Sequence, residues 1–197
     1  TSRTLVEQEP NYTYVTARIL LDNIRTEALT YLGMQKQATQ KEMESLYPEA
    51  LRNFLAKGVE NEILNPELLE MDVDKLGQAI ISSRDNDFTY LGLQTLYDRY
   101  FIHHDEVRYE LPQVFFMRVS MGLALRENER EERAIEFYNL LSSFDYMSST
   151  PTLFNSGTKH SQLSSCYLTT VPDDLHGIYG AIQDNAMLSK WAGGLGN

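Results

Sequence analysis

The residues equipped for chemistry crowd into the last quarter of the chain. Cys166 is the single cysteine of the 197 residues and stands in Ser164-Ser165-Cys166-Tyr167-Leu168. A lone cysteine serves most often as a small buried hydrophobe; as a thiolate it is a nucleophile or a redox centre. The two serines before it add hydroxyl donors at a strand end. Asp173-Asp174 follows Pro172. Its simplest use is to cap a helix, satisfying free N–H groups and the positive end of the helix dipole. Its functional use would be to accept a hydrogen bond from a ribose hydroxyl. Gly193-Gly194-Leu195-Gly196 would let backbone approach a ligand closely, yet it fits neither the P-loop nor the G-x-G-x-x-G pattern. Lys190, just before it, is either a phosphate-binding charge or the basic end of a helix.

Two earlier clusters read more simply. His103-His104-Asp105 carries metal-ligating atoms, but neighbouring residues diverge on a strand and crowd on a loop, so a solvated hairpin turn is expected. Glu127, Glu129, Arg130, Glu131, Glu132 and Arg133 form a salt-laced approach to a helix, with nothing apolar nearby to shield carboxylates for acid–base work.

The elements that must position these groups follow from spacing. Tyr12, Val15, Ile19, Leu20, Ile24, Ala28 and Leu32 recur at three- and four-residue steps, a helical stripe opened by Pro10 and stopped by Gly33. Thr39 with Glu42 forms a capping box for a second helix, expected to be interrupted near Pro48. Pro66 and Asp72 read as further helix starts, residues 84–87 as a break, and 88–100 as a helix again. Residues 101–111 predict a short hairpin, Pro112 opens a helix to about Leu125, and another follows the charged run. Residues 148–158 are small and polar and read as a loop. A strand over 165–171 and a helix capped by Pro172-Asp173-Asp174 close the series. The order is a long helical module followed by the opening strand and helix of an α/β unit.

Composition narrows the function class. With 28 acidic and 17 basic side chains the net charge is −11, which argues against a nucleic-acid polymer as the main partner but leaves small nucleotides open. A 42% hydrophobic content fits a folded globule of one or two domains. One cysteine cannot form an intrachain disulfide, so a stapled secreted scaffold is excluded. No apolar run approaches the roughly 18 residues of a membrane span, and the polar first ten residues are no signal peptide. A reducing compartment, the cytoplasm, and no membrane partner are expected. The chain begins on Thr1 and stops inside its glycine-rich stretch, which reads as an excised piece of a longer protein.

Taken in order, the late segments resemble the large (alpha) subunit of class I ribonucleotide reductase in its bacterial aerobic form. They are Ser149-Thr150-Pro151-Thr152-Leu153-Phe154-Asn155-Ser156-Gly157-Thr158, Gln162-Leu163-Ser164-Ser165-Cys166-Tyr167-Leu168, Asp173-Asp174-Leu175 and Ser189-Lys190-Trp191-Ala192-Gly193-Gly194-Leu195-Gly196-Asn197. Residues 12–18 and 90–100 fit as well. The resemblance implies a mainly α fold, with a helical N-terminal region over 1–147 and the start of a ten-stranded α/β barrel over 148–197. It implies that Cys166 is one of two cysteines that reduce the substrate and become a disulfide, a step suited to a buried thiol. Thr150, Ser165 and Gly194 match substrate-nucleotide positions. Asp173, Asp174, Leu175 and Lys190 match a pocket for the deoxynucleoside triphosphate that selects the substrate.

The implied chemistry reduces ribonucleoside diphosphates to deoxyribonucleoside diphosphates. A radical from a metal-containing small (beta) subunit becomes a thiyl, which abstracts the ribose 3′ hydrogen. Implied partners are that subunit, a second alpha subunit, thioredoxin or glutaredoxin, and ATP or deoxynucleotide effectors. No metal or cofactor is expected within this chain, and this stretch alone is expected to be inactive. The thiyl cysteine, the second reducing cysteine and the ATP-binding regulatory domain lie outside it in the family. A cobalamin-dependent reductase of the same superfamily, or a helical protein-interaction module without catalysis, are the alternative readings.

Overall fold

The first helical stripe folds as a helix, but its opening members Tyr12, Val15 and Ile19 are exposed and only its later part, Ile24, Ala28 and Leu32, is buried. In a computed structural model that describes residues 2–190 and 194–196, a short helix α1 (Ser2–Leu5) precedes α2 (Tyr12–Tyr31), which buries Ala17, Leu21, Ile24, Ala28 and Leu29. Gly33 ends α2 with φ 72°; its N–H bonds the Thr30 carbonyl at 3.2 Å and the Met34 N–H bonds that of Leu29 at 2.9 Å. That paired pattern is a Schellman termination, and it needs the positive φ that glycine adopts without strain.

Helix α3 (Gln40–Glu60) starts on the expected capping box: the Glu42 N–H bonds Thr39 Oγ1 at 3.4 Å, and the Thr39 N–H bonds Glu42 Oε2 at 2.7 Å. The bond from the Thr39 backbone holds the Glu42 carboxyl below its ordinary value. The expected interruption near Pro48 is absent, and α3 runs through it unbroken. The proline ring instead forms a packing surface for α4 (Val73–Gln78), where a Cβ on Gly77 would come within 2.9 Å of Pro48 Cα. Pro66 and Asp72 do start helical turns, a 3₁₀ segment over Pro66–Glu70 and α4 itself.

Residues 84–87 do more than break the chain. They lie in a 3₁₀ turn (Ser82–Asp87) that carries Asp85 into the core, where it is 1% exposed. Tyr47 Oη donates to Asp85 Oδ2 at 2.8 Å, Gln113 Nε2 to Oδ1 at 2.9 Å and Arg25 Nη2 to Oδ2 at 3.2 Å. Burial still pushes the Asp85 carboxyl above its ordinary value against these donors.

Helix α5 (Tyr90–Arg99) leads into the predicted hairpin, β1 (His103–His104) paired antiparallel with β2 (Val107–Arg108). Asp105 and Glu106 both have positive φ, the backbone demanded by a tight two-residue turn. Next comes α6 (Pro112–Ala124), buried at every residue from Pro112 to Met121, the polar Gln113, Arg118 and Ser120 included. It packs most extensively on α7 (Arg130–Ser142). The charged approach to α7 is the expected mesh of surface pairs, among them Lys75–Glu132 and Arg126–Glu67.

The last quarter departs from the helical style, though not where expected. Residues 148–158 are not all loop: α8 (Thr150–Asn155) forms there with Pro151 in its first turn. The predicted strand is shorter, β3 (Cys166–Leu168), followed by α9 (Leu175–Lys190). The glycine-rich segment, expected as a loop, contributes β4 (Gly194–Gly196), parallel to β3 in the register Cys166 to Gly194 and Leu168 to Gly196. Gly193, Trp191, Ala192 and Asn197 of the same motif lie outside the described residues. The described chain is thus mainly helical and ends in one βαβ unit. No helix among its described residues is long and apolar enough to cross a membrane.

Candidate functional site beside Cys166

The site is built on an anchored loop. Arg118, fully buried on α6, is held by Glu110 through Nε to Oε1 at 2.9 Å and Nη2 to Oε2 at 3.1 Å. Its remaining nitrogen, Nη1, donates to the carbonyls of Leu153 and Ser156, both at 2.9 Å, and of Phe154 at 3.3 Å. One guanidinium thereby collects the carbonyls at the end of α8, which have no partner within so short a helix. Gly122 on α6 allows the close approach, since a Cβ there would lie 2.1 Å from the Gly157 nitrogen. Beyond α8, the Lys159 N–H bonds the Ile63 carbonyl and the Asn65 N–H that of Gly157, tying the segment to the helical body.

From α8 the stitching passes to the cysteine. Asn155 Nδ2 donates to the Gln162 carbonyl at 2.7 Å, and Thr152 Oγ1 to that of Leu163 at 3.1 Å. Gln162 Nε2 in turn reaches Tyr167 Oη at 2.7 Å and the Ser164 carbonyl at 2.6 Å. These bonds carry Ser165 to the wall opposite Thr150. Between them lies a cleft of about 580 Å³ lined by Thr150, Phe154, Asn155, Gln162, Ser165 and Lys190, among others. Cys166 follows Ser165 in the chain and is paired with Gly194, whose N–H bonds the Ser165 carbonyl at 2.9 Å. A Cβ on Gly194 would sit 3.1 Å from that carbonyl and 3.5 Å from Cys166 Sγ, so the glycine keeps the space beside the sulfur open. The expectation of a buried thiol fails: Cys166 is exposed.

The sequence-selected residues therefore fall into two places. Thr150, Ser165 and Lys190 line one cleft, while Cys166, next to Ser165 in the chain, and its strand partner Gly194 are not among the residues lining it. Asp173, Asp174 and Leu175 lie at the other end of α9, all exposed. Asp174 caps that helix, its Oδ1 accepting from the Gly177 N–H at 2.8 Å. The sixteen residues of α9 span roughly 24 Å at 1.5 Å per residue, so one chain does not bring Lys190 to the aspartates. The histidine pair stays apart from this site; His104 Nδ1 meets Tyr31 Oη at 3.1 Å. No group of three or more metal-ligating side chains occurs among the described residues. Spacing arguments passed over Asn155, Gln162 and the Glu110–Arg118 pair. A signal for the pair was present, an arginine inside the apolar run Phe115-Phe116-Met117-Arg118-Val119 with a carboxylate eight positions earlier.

Comparison with known proteins bears on what this cleft belongs to. Residues 86–161 match the family profile described as ribonucleotide reductase, all-alpha domain. The whole chain is 52% identical, over 197 residues, to the ribonucleoside-diphosphate reductase subunit alpha of Chlamydia muridarum, 18% of which it covers. It is 37% identical over 188 residues to the subunit alpha of Helicobacter pylori, matching 95% of this chain and 22% of that protein. It is 35% identical over 199 residues to the large subunit of Danio rerio, again along its full length and 24% of the relative. The chain spans about a fifth of the length of these relatives. With identity running along its entire length, the chain belongs to the ribonucleotide reductase large-subunit family.

Proposed function

We propose that this chain is the substrate-facing front of a ribonucleoside-diphosphate reductase. In this reading a ribonucleoside diphosphate occupies the cleft beside Cys166, touching Thr150, Ser165 and the backbone at Gly194. A radical supplied by a metal-containing beta subunit opens the reaction through a thiyl elsewhere in the full-length subunit. The thiyl takes the ribose 3′ hydrogen and the 2′-hydroxyl leaves as water. Cys166 and a second cysteine give up two electrons and two protons and join as a disulfide, and the thiol formed in the first step returns the 3′ hydrogen, restoring the thiyl. The disulfide so formed is exchanged away by an external dithiol, thioredoxin or glutaredoxin. Such reductants are kept reduced in the cytoplasm, the compartment this assigns.

The barrel belongs to the same proposal. A parallel pair joined by a helix is the repeating unit of α/β barrels, and β3–α9–β4 is one such unit. We place the division between helical region and barrel at residues 147 and 148. Leu168, Leu175, Tyr179, Ile182 and Met187 are exposed apolar side chains that further strands and a second alpha subunit would cover. Asp173, Asp174, Leu175 and Lys190 are assigned to a deoxynucleotide effector pocket, with ATP as a further regulator acting elsewhere. Because α9 separates the aspartates from the lysine, one effector would meet both only where two copies of the helix lie alongside each other.

One observation supports the substrate reading: Ser165, the chain neighbour of Cys166, lines a cleft together with Thr150, and Gly194 leaves open space beside the Cys166 sulfur. Cys166→Ser in the full-length subunit, assayed with its beta partner, is expected to abolish turnover while diphosphate binding persists. Sustained multiple turnover by the variant would end the assignment.

A further inference from the structure

The hydroxyl of Thr150 does not stand alone. Tyr100, at the C-terminal end of α5, places its Oη 3.1 Å from Thr150 Oγ1. The same ring stacks on Phe154 at 4.8 Å between centroids, inclined by 30°, and meets Phe115 of the core edge-on at 6.5 Å. Tyr100 is thus gripped on its faces by one residue of the cleft wall and one of the core. It does not line the cleft itself, although Thr150 and Phe154 both do. From the helical body it reaches the wall from behind.

We infer that Tyr100 is a positioning residue for the Thr150 hydroxyl, fixing which way that hydroxyl presents its proton to a nucleotide in the cleft. This rests on the reading that Thr150 touches the substrate. A threonine hydroxyl rotates freely and offers one donor and two acceptor sites. A phenol is the more acidic hydroxyl and the better donor. When Tyr100 donates to Thr150 Oγ1, the threonine proton is left to point into the cleft at an acceptor oxygen of the ligand. Two hydroxyls in series polarise each other, so the second bond is stronger than an isolated one. The aromatic stack supplies the rigidity, because the Tyr100 ring cannot swing away without losing its contact with Phe154.

A double-mutant cycle in the full-length reductase, assembled with its radical-supplying subunit, tests this. Tyr100→Phe keeps both ring contacts and removes only the oxygen. It is expected to lower kcat/KM for the diphosphate about three- to tenfold, the worth of one neutral hydrogen bond, chiefly through KM and with the melting temperature unchanged. In a Thr150→Val background the same change should have no further effect, and in Thr150→Ser it should keep its full effect. Additive losses with Thr150→Val, or an unaltered kcat/KM in Tyr100→Phe beside an impaired Thr150→Val, would overturn the positioning role while leaving Thr150 at the substrate. An unimpaired Thr150→Val would remove the substrate contact itself, and the role of Tyr100 with it.

Discussion

Arg118 occupies a position where an unpaired charge would be ruinous, with neither it nor Glu110 exposed to solvent. Two nitrogens of the guanidinium satisfy the carboxylate while the third gathers three carbonyls, so every charged atom of the pair has partners within the fold. Replacing such a pair by apolar side chains can be neutral, but removing one partner leaves the other charge buried and uncompensated. Arg118→Met is therefore expected to destabilise the chain by about 3–5 kcal/mol in urea unfolding. Because its Nη1 also holds the end of α8, the loss should loosen the Thr150 wall as well. A cost below about 1 kcal/mol would mean that water enters and takes over the bonding.

At the scale of elements, α9 is sparsely supported for its length, with Ala181 the one buried residue among sixteen. It nevertheless contains Gly180, beside which a Cβ would meet nothing within 4 Å. Gly180→Ala is expected to raise stability by about 0.5–1 kcal/mol, since alanine loses less backbone entropy in a helix. Thermal unfolding followed by helical ellipticity would detect it as a higher midpoint, and a lower midpoint would show that the site is occupied in a larger assembly. The elements that the sequence disclosed share one property: their cause is local. A stripe at three- and four-residue steps, a Thr39–Glu42 box, and Gly33 after Leu32 act within a turn or two. What stayed hidden is set from afar. Pro48 is tolerated because Gly77 packs on it, Asp85 is core because its partners come from α2, α3 and α6, and Gly194–Gly196 is a strand because β3 is there to pair with. Helix α8 escaped because six residues rich in Thr and Pro are too few to show a stripe. The cleft was legible as residue types in one stretch, but not as two separate ends of α9.

Over the whole molecule, the buried phenols set the response to alkali. Burial raises Tyr47 well above its ordinary range, with the Asp85 charge adding to it, and raises Tyr109 and Tyr138 mainly by desolvation. In the unfolded chain these groups ionise near pH 10. Between that value and their folded titration, the folded state binds more protons than the unfolded one. Stability is then complete below about pH 10 and falls as pH rises beyond it. Urea midpoints measured from pH 8 to 11 should hold level and then drop, and Tyr47→Phe should soften the drop. Phenolate absorbance should rise in two stages, exposed rings first and the buried ones together with unfolding. A single smooth titration of all 12 tyrosines would contradict their burial.

The parallel pairing of Cys166 with Gly194 also orders events in time. The whole of α9 intervenes between the two residues, and β4 is the last element of the described chain. Synthesis runs from the N-terminus, and folding during synthesis largely follows that order. A chain emerging from the ribosome can thus complete its helical body, with Arg118 already holding α8, before the cysteine acquires its neighbour strand. Cys166 therefore gains its strand partner only after the helical body that precedes it has emerged.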